Sequence, residues 1–187
     1  FSRRWLLTTL LVLAGMAFMA RLGIWQLDRL EKRRAFNTRV EAQLSQPELV
    51  LDATALADVA LPGQLEKMEY RSVQVRGVYD HTHQIALRSQ YYGNQYGVHL
   101  ITPLLIEGAN QVVLIDRGWI PAADWNNRQT SQYDETGVVE IQGMLRAPQS
   151  KADFGSRSDP TPAPGSAGLD AWNFVNIERI GEQMPYT

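Results

Sequence analysis

Histidines are the first place to look for chemistry in this chain, which has only three. His81-Thr82-His83 would set two imidazoles on one face of an extended segment, as in a metal-ligand pair. Only Asp80 stands nearby as a third ligand, and the stretch falls where a hairpin turn is expected, so an ordinary solvated turn competes with that reading. His99 lies beside a hydrophobic strand and reads as a hydrogen-bonded structural histidine. Ser72, Ser89 and Ser131 lack the context of a nucleophile elbow. The carboxylates are scattered, with no pair suited to acid–base work, and there is no glycine-rich phosphate loop. Without cysteine, disulfides, thiolate metal sites and cysteine nucleophiles are excluded. The residue pattern gives no reason to expect an enzyme.

Two clusters suit binding instead. Trp25, Gln26, Arg29 and Lys32 fall on neighbouring faces of an expected helix, and Trp25 with Arg29 at i,i+4 allows a cation–π contact. They read either as interfacial anchors or as contacts to a partner. Asp116-Arg117-Gly118-Trp119-Ile120-Pro121 ends a hydrophobic strand with a guanidinium and an indole. Arg117 and Trp119 could be binding anchors, or a buried Arg–carboxylate pair with Trp in the core.

The elements that must position these residues begin with an apolar run. Trp5–Ala20 carries no charge, and the 21 residues from Trp5 to Trp25 would span roughly 30 Å, the thickness of a bilayer core. Tryptophans bracket the run where amphipathic rings prefer the membrane boundary. A cleaved signal peptide is the rival, but Gly15-Met16-Ala17 is a mediocre cleavage site. Gln26–Gln46 has no Pro or Gly, and Phe36, Val40 and Leu44 recur at helical spacing, so the helix is expected to continue.

Beyond it, residues 51–60 read as a short helix with Asp52 at its N-cap. Val73, Val75 and Val78 alternate as a strand with a bulge past Gly77. Residues 84–90 form a second strand, and Val98–Ile106 and Val112–Ile120 a hairpin around a polar four-residue turn. Pro103 argues for an edge position or a bulge. Residues 121–130 suit a helical turn, 138–147 a strand, 148–170 a long Pro/Gly/Ser-rich loop, 171–177 a last strand and 178–183 a helical turn. The fold class expected is mainly β: a transmembrane helix, then about six antiparallel strands in a small sheet or partial barrel with short helices. The segments are a stub at 1–4, a span at 5–25, a juxtamembrane helical segment at 26–60 and an extracytoplasmic β domain at 61–187.

Seven of the eighteen Lys and Arg, but only two of the twenty Asp and Glu, fall in residues 1–34; that stretch carries +5 and residues 35–187 carry −7. An acidic body repels phosphate backbones, so nucleic acid is excluded as a partner, while the basic end suits anionic membrane lipids. Charge flanking the span leaves its orientation open, because more basic residues follow it than precede it.

Read in order, Leu22-Gly-Ile-Trp-Gln-Leu-Asp-Arg-Leu-Glu-Lys-Arg33, Tyr70-Arg71-Ser-Val73, Gly77-Val-Tyr79-Asp80, Arg88, Gly97, Thr102-Pro103-Leu104, Arg117-Gly118-Trp119-Ile-Pro121, Gly143-Met-Leu145-Arg146, Trp172 and Pro185-Tyr186 resemble the Surfeit-locus-one family of membrane-bound cytochrome oxidase assembly proteins. The resemblance covers residues 22–186. It implies an N-terminus in the cytoplasm or matrix and a β-rich domain in the periplasm or intermembrane space. It also implies a non-enzymatic role in haem a insertion into, or assembly of, the haem-copper oxidase catalytic subunit. In that family a second membrane helix with an Asn-His-Leu-type stretch carries the usual candidate haem ligand. No such segment precedes Thr187, and His81, His83 and His99 do not match it. No cofactor is therefore assigned to these residues, and haem a rests on the resemblance alone. A permanent accessory subunit of a respiratory oxidase is the alternative role.

Overall fold

A computed structural model of the chain describes residues 3–59, 61, 63–109, 111–151, 158–162 and 168–186. The chain divides at Gln46/Pro47 into two compact units.

The first unit is one helix, α1 (Arg3–Leu44), with none of its side chains buried in the chain. Two hydroxyls interrupt its apolar run. Thr8 and Thr9 donate to the Arg4 and Trp5 carbonyls at 3.0 and 2.9 Å, so neither needs water. Among the described helices, α1 alone is long and apolar enough to cross a membrane. It continues past Trp25, as its composition predicts. It ends just before Pro47, whose ring disfavours helical backbone at the residue ahead of it; Ser45 Oγ donates to the Ala42 carbonyl at 3.0 Å in the last turn.

The second unit is a mixed sheet with short helices. Its strands are β1 (Leu49–Leu51), β2 (Ser72–Tyr79), β3 (Ile85–Tyr92), β4 (Gln95–Ile106), β5 (Val112–Pro121), β6 (Val138–Met144) and β7 (Ala171–Trp172). Its helices are α2 (Ala53–Val59), α3 (Gln64–Lys67), α4 (Ala122–Asn126) and α5 (Ile177–Glu182). Asp52 caps α2 as expected, accepting from the Thr54 and Ala55 amides at 3.0 and 2.8 Å.

The expected antiparallel sheet or partial barrel is corrected here. The seven-stranded sheet is open, and β1–β2 and β3–β7 pair in parallel. Both parallel pairs involve strands of two or three residues, too short for a hydrophobic period to show in sequence. The last strand accordingly stops at Trp172 and does not run on through Ile177. Residues 152–157 and 163–167 of the expected loop lie outside the described residues.

Along one edge β2 pairs with β6; along the other it meets β1 and then β4. The bulge expected past Gly77 is absent, because β2 and β6 stay in register from Ser72↔Met144 to Val78↔Val138. Gly77 answers a different need. A Cβ there would sit 2.2 Å from the Leu105 carbonyl oxygen, so only glycine lets β4 come this close. Pro103 lies on neither an edge nor a bulge: β4 is the most extensively paired strand, meeting β3 up to Ile101 and β2 from Leu104. The missing N–H of Pro103 falls in the gap between them, where its carbonyl accepts from Asp80 N at 2.9 Å.

The main core packs α2 against β1, β2 and β4 through Leu51, Leu56, Val75, Leu104 and Ile106. A second cluster sets Trp172 and Ile180 against Ile85 and Ile101. Gly77→Ala should lower stability by about 1–3 kcal/mol through overpacking of backbone against backbone. Gly143→Ala, with open space around its Cβ, should be nearly silent. Thermal melts of the two variants decide this; equal melting points would remove the close-approach explanation.

Candidate functional site

Two arrangements stand out, one in each unit. In the second unit the organising feature is a β-bulge. Between the pairs His99↔Trp119 and Ile101↔Asp116, strand β5 supplies two residues, Arg117 and Gly118, against Leu100 alone. Gly118 takes φ +99°, a conformation costly for a residue with a Cβ, and its amide donates to Asp116 Oδ1 at 2.9 Å. Asp116 also holds His99, whose Nδ1 lies 2.8 Å from Oδ2, so His99 is the hydrogen-bonded histidine its context suggests.

The bulge accompanies an Arg117 side chain that is only 6% exposed. Its guanidinium lies 4.7 Å from the Tyr79 ring centroid and donates to Gln84 Oε1 at 3.2 Å and to the Tyr133 carbonyl. The Glu135 and Asp134 carboxylates stand 3.5 and 4.0 Å from it. Gln84 Oε1 also accepts from the fully buried Thr102 hydroxyl at 2.8 Å. Burial, then the Glu135 carboxylate, push the Tyr79 phenol up; the Arg117 charge pulls the other way.

Residues His81–His83 form a 3-10 turn with Asp80 as its N-cap. The turn expected from sequence is there, with Thr82 exposed and His83 38% exposed, and each imidazole also has an internal partner. His81 Nδ1 lies 3.1 Å from Asp134 Oδ1 and Nε2 lies 2.9 Å from the Glu135 carbonyl oxygen. His83 Nδ1 lies 2.7 Å from Asp80 Oδ2, which also accepts from the Tyr186 hydroxyl. Burial alone would raise the Asp80 carboxyl. Hydrogen bonds from the Thr82 hydroxyl, Tyr186, His83 and the Thr82 amide outweigh it and hold the group well below the usual carboxylate range.

Among the described residues no three His, Asp or Glu side chains converge on a metal position. His81 Nε2 lies against the Glu135 carbonyl oxygen and its Nδ1 against both Asp134 Oδ1 and the Arg117 guanidinium, and the carboxylates beside it face Arg117.

In the first unit, Trp25, Arg29 and Lys32 fall on one stripe of α1 at about 100° per residue, with Gln26 beside it. Trp25 is 47% exposed and the Arg29 guanidinium lies 5.5 Å from its ring centroid. The spacing therefore delivers the cation–π pair it suggests, on an exposed face of the helix.

The SURF1 family profile matches residues 13–187. The chain belongs to the SURF1 family. It is 25% identical over 197 residues to a "SURF1-like protein" of Caenorhabditis briggsae, covering 95% of this chain and 58% of the relative. It is 25% identical over 174 residues to "Surfeit locus protein 1" of Homo sapiens, covering 85% and 53%. With the "Cytochrome oxidase assembly protein SHY1" of Saccharomyces cerevisiae it shares 24% identity over 144 residues, covering 74% and 36%. The chain spans about half the length of the curated relatives it matches.

The motifs that carried the SURF1 resemblance meet in space. Tyr79 and Asp80, Thr102-Pro103-Leu104, Arg117-Gly118 and Tyr186 all contribute to the buried cluster or its turn. Tyr70 and Arg71 continue the β2–β6 ladder against Leu145 through bonds of 2.8 and 3.0 Å, and Arg146 lies 5.0 Å from the Tyr70 ring centroid. Gly97 and Trp119 explain each other, since a Cβ on Gly97 would strike the indole 2.2 Å away. Of the two readings open for Arg117, the structure has the buried one, with carboxylates beside it, and Trp119 packs over strand backbone with its Nε1 buried and without a hydrogen-bond partner. Gln84, Asp134, Glu135 and Tyr186 were not singled out from sequence as site residues. The one local hint was Asp80 two residues before Thr82, an Asx-turn pattern.

The Asp80 carboxyl sets an acid limit on this cluster. Its folded value lies below the unfolded one of about 3.9, so its stabilising contribution is complete above about pH 5 and is lost as pH falls. Asp80→Asn should cost stability at pH 7 and flatten the melting-temperature profile between about pH 5 and 2. An acid profile unchanged by the substitution would mean that Asp80 does not titrate in this way.

Proposed function

We propose that this SURF1-family chain is a membrane-anchored, non-enzymatic factor for cytochrome c oxidase biogenesis that works by contact with the oxidase catalytic subunit. The observation that carries the reading is the family match together with a relative named as a cytochrome oxidase assembly protein. In this reading residues 5–25 of α1 cross the plasma or mitochondrial inner membrane. Trp5 and Trp25 lie at the boundaries, and the Thr8 and Thr9 hydroxyls are satisfied within the helix. The acidic β domain faces the periplasm or intermembrane space.

The contact surface is the juxtamembrane stripe of Trp25, Gln26, Arg29 and Lys32. A membrane-embedded partner must lie beside this helix, and the stripe joins a broad apolar ring to donors for charge-assisted bonds. Haem a insertion is assisted by holding the recipient subunit rather than by ligation from His81, His83 or His99.

Arg29→Ala should weaken retention of the catalytic subunit about tenfold or more, the effect of losing about 1.4 kcal/mol of contact. Arg34→Ala removes the same charge from the opposite face of α1 and should leave retention unchanged. The measurement is subunit recovery by pull-down from membranes, normalised to each variant's abundance, beside the haem a absorbance of assembled oxidase. Equal losses in both variants would reduce the stripe to general charge. In the same cells a membrane-impermeant maleimide should label Glu48→Cys from outside, and labelling only after lysis would reverse the topology.

A further inference from the structure

Strands β3 and β4 end in a two-residue turn, Gly93-Asn94, carrying a group of exposed aromatics. Tyr91, Tyr92 and Tyr96 are 69, 73 and 49% exposed. Tyr91 and Tyr96 are cross-strand partners with ring centroids 5.4 Å apart. Tyr92 points to the other face of the hairpin, its ring centroid 5.7 Å from that of Trp119. Three phenol rings in six residues thus surround the tip on both faces. A rigid protein partner normally covers one face of a strand pair, whereas the lipid head-group zone bathes a tip on all sides. It is also where rings with a polar end are most at home.

Charge selects the same occupant. From His81 to Ile106 there is no Asp or Glu, although residues 35–187 as a whole carry −7. The hairpin's one Lys or Arg is Arg88, which is exposed. Most of this acidic body is repelled by an anionic surface; the hairpin is not. Its turn residues are uncharged and small, so nothing at the apex opposes entry.

We propose that the β3–β4 hairpin tip is a second membrane contact, seating Tyr91, Tyr92 and Tyr96 among lipid head groups. The proposal rests on the reading of α1 as a membrane anchor, which tethers the domain to the same membrane and so raises the effective concentration of the tip at it. Such a contact would limit how the tethered domain turns about its anchor and so how it meets a partner.

The chain has no cysteine, so single cysteines can be labelled cleanly. Full-length chain in lipid nanodiscs is labelled with an environment-sensitive fluorophore at Asn94→Cys, Glu107→Cys or Val12→Cys. Glu107 sits past the opposite end of β4 and serves as the distal control. A nitroxide on the lipid head group should quench the Asn94 label about twofold or more. The Glu107 label should be unaffected, and quenching at Asn94 should persist in uncharged phosphatidylcholine discs, since the contact is made by uncharged rings. The combined Tyr91→Ser, Tyr92→Ser and Tyr96→Ser variant should lose the quenching while keeping its melting point. Val12 separates the two claims: a Val12 label quenched by an acyl-chain nitroxide beside an unquenched Asn94 overturns the hairpin contact alone. A Val12 label open to an aqueous quencher overturns the anchor itself. Quenching at Asn94 that persists in the serine variant, or appears only when the oxidase subunit is co-reconstituted, also overturns the proposal.

Discussion

A guanidinium can leave water only where acceptors and a π face replace its hydration, and most of the second unit follows from meeting that demand for Arg117. The replacements come from three stretches remote in sequence: Tyr79 at the end of β2, Gln84 after the turn, and Tyr133–Glu135 between α4 and β6. Each must be in place for the others to be tolerated. The Arg117–Gly118 bulge sets the strand beneath the cation, Pro103 leaves the opening that the Asp80 turn fills, and Thr102 supplies the hydroxyl that orients Gln84. Leaving one partner out weakens the compensation of a charge that is itself buried. The cluster is consequently cooperative in construction. The Asp134 and Glu135 carboxylates face Arg117, and His83 faces Asp80.

The helix obeys a different rule. α1 is long and apolar enough to cross a membrane, and its apolar surface suits a bilayer. On the function proposed above, a factor that acts by contact needs a rigid domain and a presented face more than a pocket; the Arg117 cluster would supply the rigidity and the Trp25–Arg29 stripe the face.

Much of this was legible in the residues. The continuous helix past Trp25, the Asp52 cap, the β4–β5 hairpin, the helical turns at α4 and α5 and the Trp25–Arg29 pair all depend on local spacing, and local spacing is visible in sequence. What was misread depends on partners far along the chain. Gly77 resembled a bulge residue because nothing local reveals that Leu105 O lies where its Cβ would be. Pro103 resembled an edge residue because the handover from β3 to β2 is a tertiary event. The two parallel pairs involve strands too short to carry a period. For Arg117 both a surface and a buried role were open, and only the positions of Glu135 and Tyr133 decide between them.

The claim that Arg117 ties these segments into one unit is tested most directly by amide hydrogen exchange on the full chain, comparing the native protein with Arg117→Met. Methionine keeps the apolar stem and removes the donors. The account predicts that protection is lost together at Thr82, in the Asp80 turn, and at Tyr133 and Asp134, while Leu56 in α2 exchanges as before. Loss confined to Gly118 and its strand neighbours, with the turn and the 133–135 segment unchanged, would contradict it.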